Sequence, residues 1–219
     1  MKPDLLEALR YLGAGDDPSE QMRQEMAETA RFLSARVRPK YTYRVFSLDR
    51  EPQGIRLREA DLLLTGGSAA RMLEQCDRAV LLACTLGAEF DALLRAEQAR
   101  NMARAAMLNA CGSALVEAGC DEAEREVAER FPQLFLTDRF SPGYGDLPLD
   151  LQARICSVLD AERRLGLYVS ERYLMNPVKS VTAVIGLAET PQMARIRGCA
   201  FCAMRETCLL RKGGKTCGN

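Results

Sequence analysis

Apolar positions along this chain recur at two periods, and the switches between them mark out its elements. Leu5 to Tyr11 reads as a short helix ended by Gly13. Asp17-Pro18 supplies an N-cap and a first-turn proline, after which Met22, Met26, Ala30, Leu33 and Val37 follow at helical spacing until Pro39. Tyr41 to Leu48 (YTYRVFSL) is aromatic and β-branched, so it predicts a strand. Ile55 to Leu57 and Ala60 to Leu64 predict short strands, and Gly66-Gly67-Ser68 opens a helix through Leu73. Arg78 to Leu86 (RAVLLACTL) reads as a buried strand, and Gly87 begins a helix through Leu94. Thr85-Leu86-Gly87 at that junction reads as simple capping.

The longest helical stretch runs from Ala99 to Arg130, with Met102, Ala105, Ala106, Ala110, Ser113, Val116 and Cys120 as its apolar, small-residue stripe. Asn109 interrupts that stripe, and its amide is expected to find a partner at a helix contact. Asp121, Glu122, Glu124 and Glu126 read as a solvated face. Leu134 to Leu136 predicts a strand, Leu151 to Leu165 an amphipathic helix, and Leu167 to Val169 and Ser180 to Ala188 two further strands. There is no regular βαβ spacing, no phosphate-binding glycine fingerprint and no internal repeat. The expected fold class is α+β: a single domain with a mixed or antiparallel sheet flanked by long helices, over residues 1–190.

Residues 191–219 form the second expected unit, a cysteine-rich tail. Cys199, Cys202, Cys208 and Cys217 follow the spacing C-x2-C-x5-C-x8-C in a basic segment. Clustered thiolates hold soft metals, and a CxxC pair places two sulfurs on one ion. The chain has no histidine, so a metal here is held mainly by sulfur. That leaves an iron–sulfur cluster or structural zinc. The C-x3-C-x2-C pattern of radical chemistry is absent. The other cysteines, Cys76, Cys84, Cys111, Cys120 and Cys156, lie in apolar stretches and read as buried thiols of a reducing cytoplasm.

The missing histidine also excludes Ser-His-Asp and Cys-His nucleophiles. Thirty acidic and thirty basic residues cancel, and there is no tryptophan. Neither a global field nor a stacking platform then points to nucleic acid. No 18-residue apolar run predicts a membrane span, and the N-terminus lacks the apolar core of a signal peptide.

Chemistry concentrates in the loop Arg139 to Asp146 (RFSPGYGD). Pro142 fixes φ, and Gly143 and Gly145 let a backbone approach a ligand closely. Arg139 offers a planar fork for a carboxylate, and Tyr144 offers a ring face and a hydroxyl. An arginine just before a glycine-rich turn suits a zwitterionic amino acid or an adenosyl group.

The order R-F-S-P-G-Y-G, a helix, then L-G-L-Y-V-S-E-R-Y-L-M-N-P-V-K-S-V resembles the activation domain of cobalamin-dependent methionine synthase. The matching positions are Arg139, Ser141, Pro142, Gly143, Tyr144, Ser170, Glu171, Met175, Pro177, Ser180 and Val181, with A-L-V-E-A around Glu117 in the preceding helix. The resemblance implies binding of S-adenosylmethionine and help in reductive methylation of an oxidised corrinoid, which takes one electron and one methyl group. It implies that Arg139 holds the ligand's carboxylate, that Ser141 to Tyr144 cradle its adenosyl end, and that Glu117 faces its ammonium or ribose. The chain has no histidine for the Asp-x-His-x-x-Gly signature of a corrinoid domain, so cobalamin is expected on a partner methionine synthase or related corrinoid protein. After Ala188 the family's ending, with a ligand-touching tyrosine, gives way to the cysteine cluster. The sequence thus leaves three functions open: a reactivation factor, an iron–sulfur electron-transfer module working beside an electron-donor protein, and a zinc-stabilised docking protein.

Overall fold

The computed structural model describes residues 1–15, 17–192 and 206–207. The metal-ligand candidates Cys199, Cys202, Cys208 and Cys217 lie outside the described residues. So does the 191–219 unit, apart from four of its positions.

The chain builds a three-layer α+β body around one antiparallel sheet. Helix α1 (Leu5–Leu12) is capped by Asp4, whose carboxylate accepts from Leu6 N at 2.8 Å and Glu7 N at 3.0 Å, and ends at Gly13 with φ 76°. Helix α2 (Glu20–Ser34) starts two residues later than Asp17-Pro18 predicts. Its cap is Ser19, which accepts from Met22 N, while Asp17 instead takes a bond from Arg23. Strand β1 (Lys40–Glu51) turns into β2 (Gly54–Leu57), and a 3-10 turn (Arg58–Ala60) leads to β3 (Leu62–Leu64). Then come α3 (Gly67–Met72), β4 (Cys76–Thr85), α4 (Gly87–Gln98) and α5 (Met102–Arg130). Short β5 (Phe135–Leu136) precedes the Arg139 loop.

The helix predicted over Leu151 to Leu165 is two: α6 (Leu151–Val158) and α7 (Ala161–Leu165). Asp160 adopts φ 53° between them, a left-handed conformation that breaks the helix. A hairpin of β6 (Tyr168–Val169) and β7 (Met175–Asn176) leads to β8 (Ser180–Ala188).

The main sheet runs β3-β2-β1-β4-β8-β5 with antiparallel neighbours. Strand β4 is central, and its side chains alternate between two cores. Val80, Leu82 and Cys84 face α1, α2, α4 and α5, whereas Ala79, Leu81 and Ala83 face α3, α6 and α7. The outer edge of β8 is only partly paired with strands among the described residues. Beta-5 pairs with Leu187 and Ala188, Phe140 bridges to Val184, and no strand among the described residues pairs with that edge from Ser180 to Ala183.

Helix α5 packs through Ala110, Gly112, Ala114, Gly119 and Cys120, small residues that let neighbours come close. Two members of the predicted stripe, Met102 and Ala106, are exposed, and so is Asn109. The true buried stripe is rotated because Leu108, Cys111, Leu115 and Val127 carry it inward. The predicted free thiols Cys76, Cys84, Cys111, Cys120 and Cys156 are all free and buried. Among the described residues, no helix is long and apolar enough to cross a membrane.

Candidate functional site

Arg139 follows β5 at the outer edge of β8. Phe140 beside it points into the core shared with α6, so alternation turns Arg139 to the opposite face, against α5. There its guanidinium meets Glu117 Oε2 at 2.7 Å, Asp121 Oδ1 at 2.7 Å and Glu124 Oε1 at 2.6 Å. These acids sit at helical spacings of four and three along one face of α5. Part of the face read as solvated is therefore an ion-pair network, and another of its acids, Glu126, accepts a hydrogen bond from the Tyr41 hydroxyl. The Arg139 side chain is only 11% exposed. Burial opposes its charge, but Glu124, Cys120, Glu117 and Asp121 outweigh that and lift its pKa above the ordinary arginine value.

The structure thus brings Glu117 and Arg139 together. The rest of the predicted set forms the turn that follows: Ser141 is half-buried, Pro142 buried, and Gly143 and Tyr144 exposed. Gly143 N donates to Leu147 O at 2.9 Å, and Gly143 and Gly145 have φ of 88° and 55°. A Cβ at Gly145 would sit 2.8 Å from Ser68 Oγ, so this glycine serves the packing of the loop on α3.

Asp146 fastens the far side of the turn. Its carboxylate accepts from Gly67 N at 2.6 Å and Ser68 N at 3.0 Å, capping α3. Bonds from Ser68, foremost its side chain, and from Gly67 hold this carboxyl below its usual range. Such a group contributes stability above the unfolded aspartate pKa and loses it as pH falls through the lowered folded value. Asp146→Ala should therefore cost about 1 kcal/mol at pH 7, and the parent–mutant gap should close as acid takes the pH down through the lowered folded value. Urea melts at neutral pH and in acid check this, and an unchanged gap in acid would refute the capping role.

Sequence reasoning missed Tyr11 on α1. Burial raises its pKa, with Glu117 and Tyr144 adding to the effect, so Tyr11 lies within electrostatic reach of the same cluster. No local pattern connects positions 11, 117 and 144; only the packing of α1 on α5 does. Lys179, just before β8, was also missed as a site residue. Its Nζ donates to Ser113 Oγ at 2.8 Å, one turn from Glu117 on the same face of α5.

Three carboxylates surround one guanidinium, so the cluster carries surplus negative charge. It suits a ligand with more positive than negative groups, with two tyrosines to supply apolar contact. Among the described residues, no group of three or more His, Cys, Asp or Glu side chains is arranged to hold a metal.

No protein-family profile matches the chain, and no curated protein matches it. Among solved structures, the crystal structure of the MetH reactivation domain bound to AdoHcy superposes with a TM-score of 0.66 at 16% identity. The match covers 99% of this chain and 86% of that one. The two share a fold. Antiparallel sheet and flanking helices are thus an arrangement that the MetH reactivation domain also adopts, and the expected α+β class stands.

Proposed function

We propose that this chain binds S-adenosylmethionine and acts as a reactivation factor, assisting reductive methylation of a corrinoid carried by a partner methionine synthase. The observation that carries the reading is the Arg139–Glu117 pair at the entrance of the Pro-Gly-Tyr turn. The shared fold with a domain crystallised around AdoHcy supports it. The donor set also suits this ligand. Its ammonium and sulfonium are both cationic and meet the acids of α5, its carboxylate meets the cations, and its adenosyl end meets Ser141 to Tyr144. When bound, it supplies a methyl group on sulfur. The chain's own part is to hold and orient that group and to keep the charged end desolvated. Exposed Tyr144, Leu174 and Val178 give the neighbourhood an apolar rim on which a corrinoid-carrying partner can rest.

In this reading residues 1–190 form the binding domain, and residues 191–219 form a metal-binding appendage on Cys199, Cys202, Cys208 and Cys217. An iron–sulfur cluster there would serve the electron the reaction requires. The four-thiolate spacing also supports zinc, which would make the tail a docking element. One experiment addresses ligand and metal together: anaerobic purification, absorption spectrum, metal analysis and calorimetric titration with S-adenosylmethionine. We expect a brown protein with iron and sulfide that binds the ligand with one-to-one stoichiometry. A colourless zinc protein would overturn the electron-transfer role of the tail. Absence of binding heat at several temperatures would overturn the ligand.

A further inference from the structure

We propose that Lys179 is a specificity-determining residue of the cleft and takes the ligand's carboxylate together with Arg139. The inference rests on the ligand reading above and assigns a contact within it. Arg139 alone is poorly placed for the task, because Glu117, Asp121 and Glu124 already engage its fork. A further carboxylate arriving there enters the field of three others. Lys179 answers that difficulty. Residues alternate along the chain into β8, so Ser180 faces the α6 side and Lys179 faces α5, the same face as Arg139. Its ammonium contacts Ser113 and the guanidinium contacts Glu117, positions four apart on α5 and about 6 Å apart along its axis.

The surroundings of Lys179 are those of a cation awaiting an anion. Its hydrogen-bond partner is a neutral hydroxyl, using one of three N–H donors. It forms no ion pair with a carboxylate among the described residues. Asp91 acts on it only at longer range; its Oδ2 accepts from Val178 N at 3.1 Å, and its Oδ1 is buried with no hydrogen-bond partner among the described residues. Half-burial disfavours the ammonium and lowers its pKa, with Asp91 partly opposing. An incoming carboxylate would relieve that cost. The competing explanation is that Lys179 only ties the start of β8 to α5.

Two ligands separate these roles: S-adenosylmethionine and its decarboxylated analogue, which keeps the sulfonium, amine and adenosyl group. Both are titrated calorimetrically into the parent, Lys179→Met and Lys179→Arg. Loss of a charge-assisted hydrogen bond should weaken S-adenosylmethionine binding to Lys179→Met by about 10- to 100-fold. Lys179→Arg should retain most of the affinity, and the decarboxylated analogue should bind parent and Lys179→Met alike. Equal S-adenosylmethionine affinity for parent and Lys179→Met overturns the assignment, as does an equal loss for both ligands, which is the signature of the structural tie. A parent that binds neither ligand overturns the underlying ligand reading instead.

Discussion

Arg139→Ala is expected to lose about 3 kcal/mol of stability and all measurable affinity for S-adenosylmethionine. Removing one partner of a buried ion pair leaves the other uncompensated, which typically costs about 3–5 kcal/mol. The lower end applies here because the acids are more open to water than the guanidinium. Asp121 is 63% exposed, so it can turn to solvent, whereas Glu124, at 28%, has less room. Asp121→Asn should therefore stay within about 1 kcal/mol of the parent. Arg139→Lys keeps the charge but loses the fork that reaches Glu124 and Glu117 from separate nitrogens, so it should recover only part of the stability. Urea unfolding of all three variants, with calorimetry on those that remain folded, checks the argument. An Arg139→Ala protein as stable as the parent, and binding as tightly, would remove the cluster from any account of this molecule.

Phe90→Ala is expected to cost about 4 kcal/mol. Phe90 is fully buried between α4 and α5, and its ring lies directly over Gly112. A Cβ built on Gly112 would come within 2.3 Å of Phe90 Cζ and 2.5 Å of Cε2. The glycine is the socket for the ring, so Gly112→Ala should cost about 1–3 kcal/mol by overpacking. In the Gly112→Ala, Phe90→Leu double variant the added methyl occupies part of the space left by the ring. Its loss should fall below the sum of the two single losses by at least about 0.5 kcal/mol. Strict additivity in denaturant melts would show that the two residues do not share the contact. The fit matters to function because α4 sets the placement of α5, and Ser113 follows Gly112 directly.

The central strands were legible because burial writes itself into the chain as an unbroken apolar run. RAVLLACTL covers most of β4, which starts two residues earlier and ends one earlier, SVTAVIGLA is β8, and both strands are buried almost throughout. The capped helices α1 and α5 were legible for a similar local reason: Gly13 and the long alanine-rich run. Legibility failed wherever a distant partner decides. The Asp160 break between α6 and α7 has no proline or glycine to announce it. Beta-7 is two residues long and exists only through its pairing with β6. Arg139 and Glu117 were found by resemblance, but their direct pairing, and the recruitment of Asp121 and Glu124, follow from helical spacing on α5 combined with the course of the loop. Tyr11 and Lys179 arrive from the two ends of the described chain, and nothing nearby in sequence marks them.

The stretch of β8 from Ser180 to Ala183, with no strand among the described residues on its outer side, has a bearing on how copies of this protein behave at high concentration. A bare ladder edge is adhesive and can recruit an identical strand, extending the sheet sideways into a polymer. Here the gap is bounded by a charged lysine at one end, and past Phe140 at the other the chain turns away through Pro142, which has no amide hydrogen to offer. Four residues bounded in this way, of which Ser180, Thr182 and Ala183 are themselves buried, are too few and too well covered to template that growth, so this margin does not make the protein stick to itself.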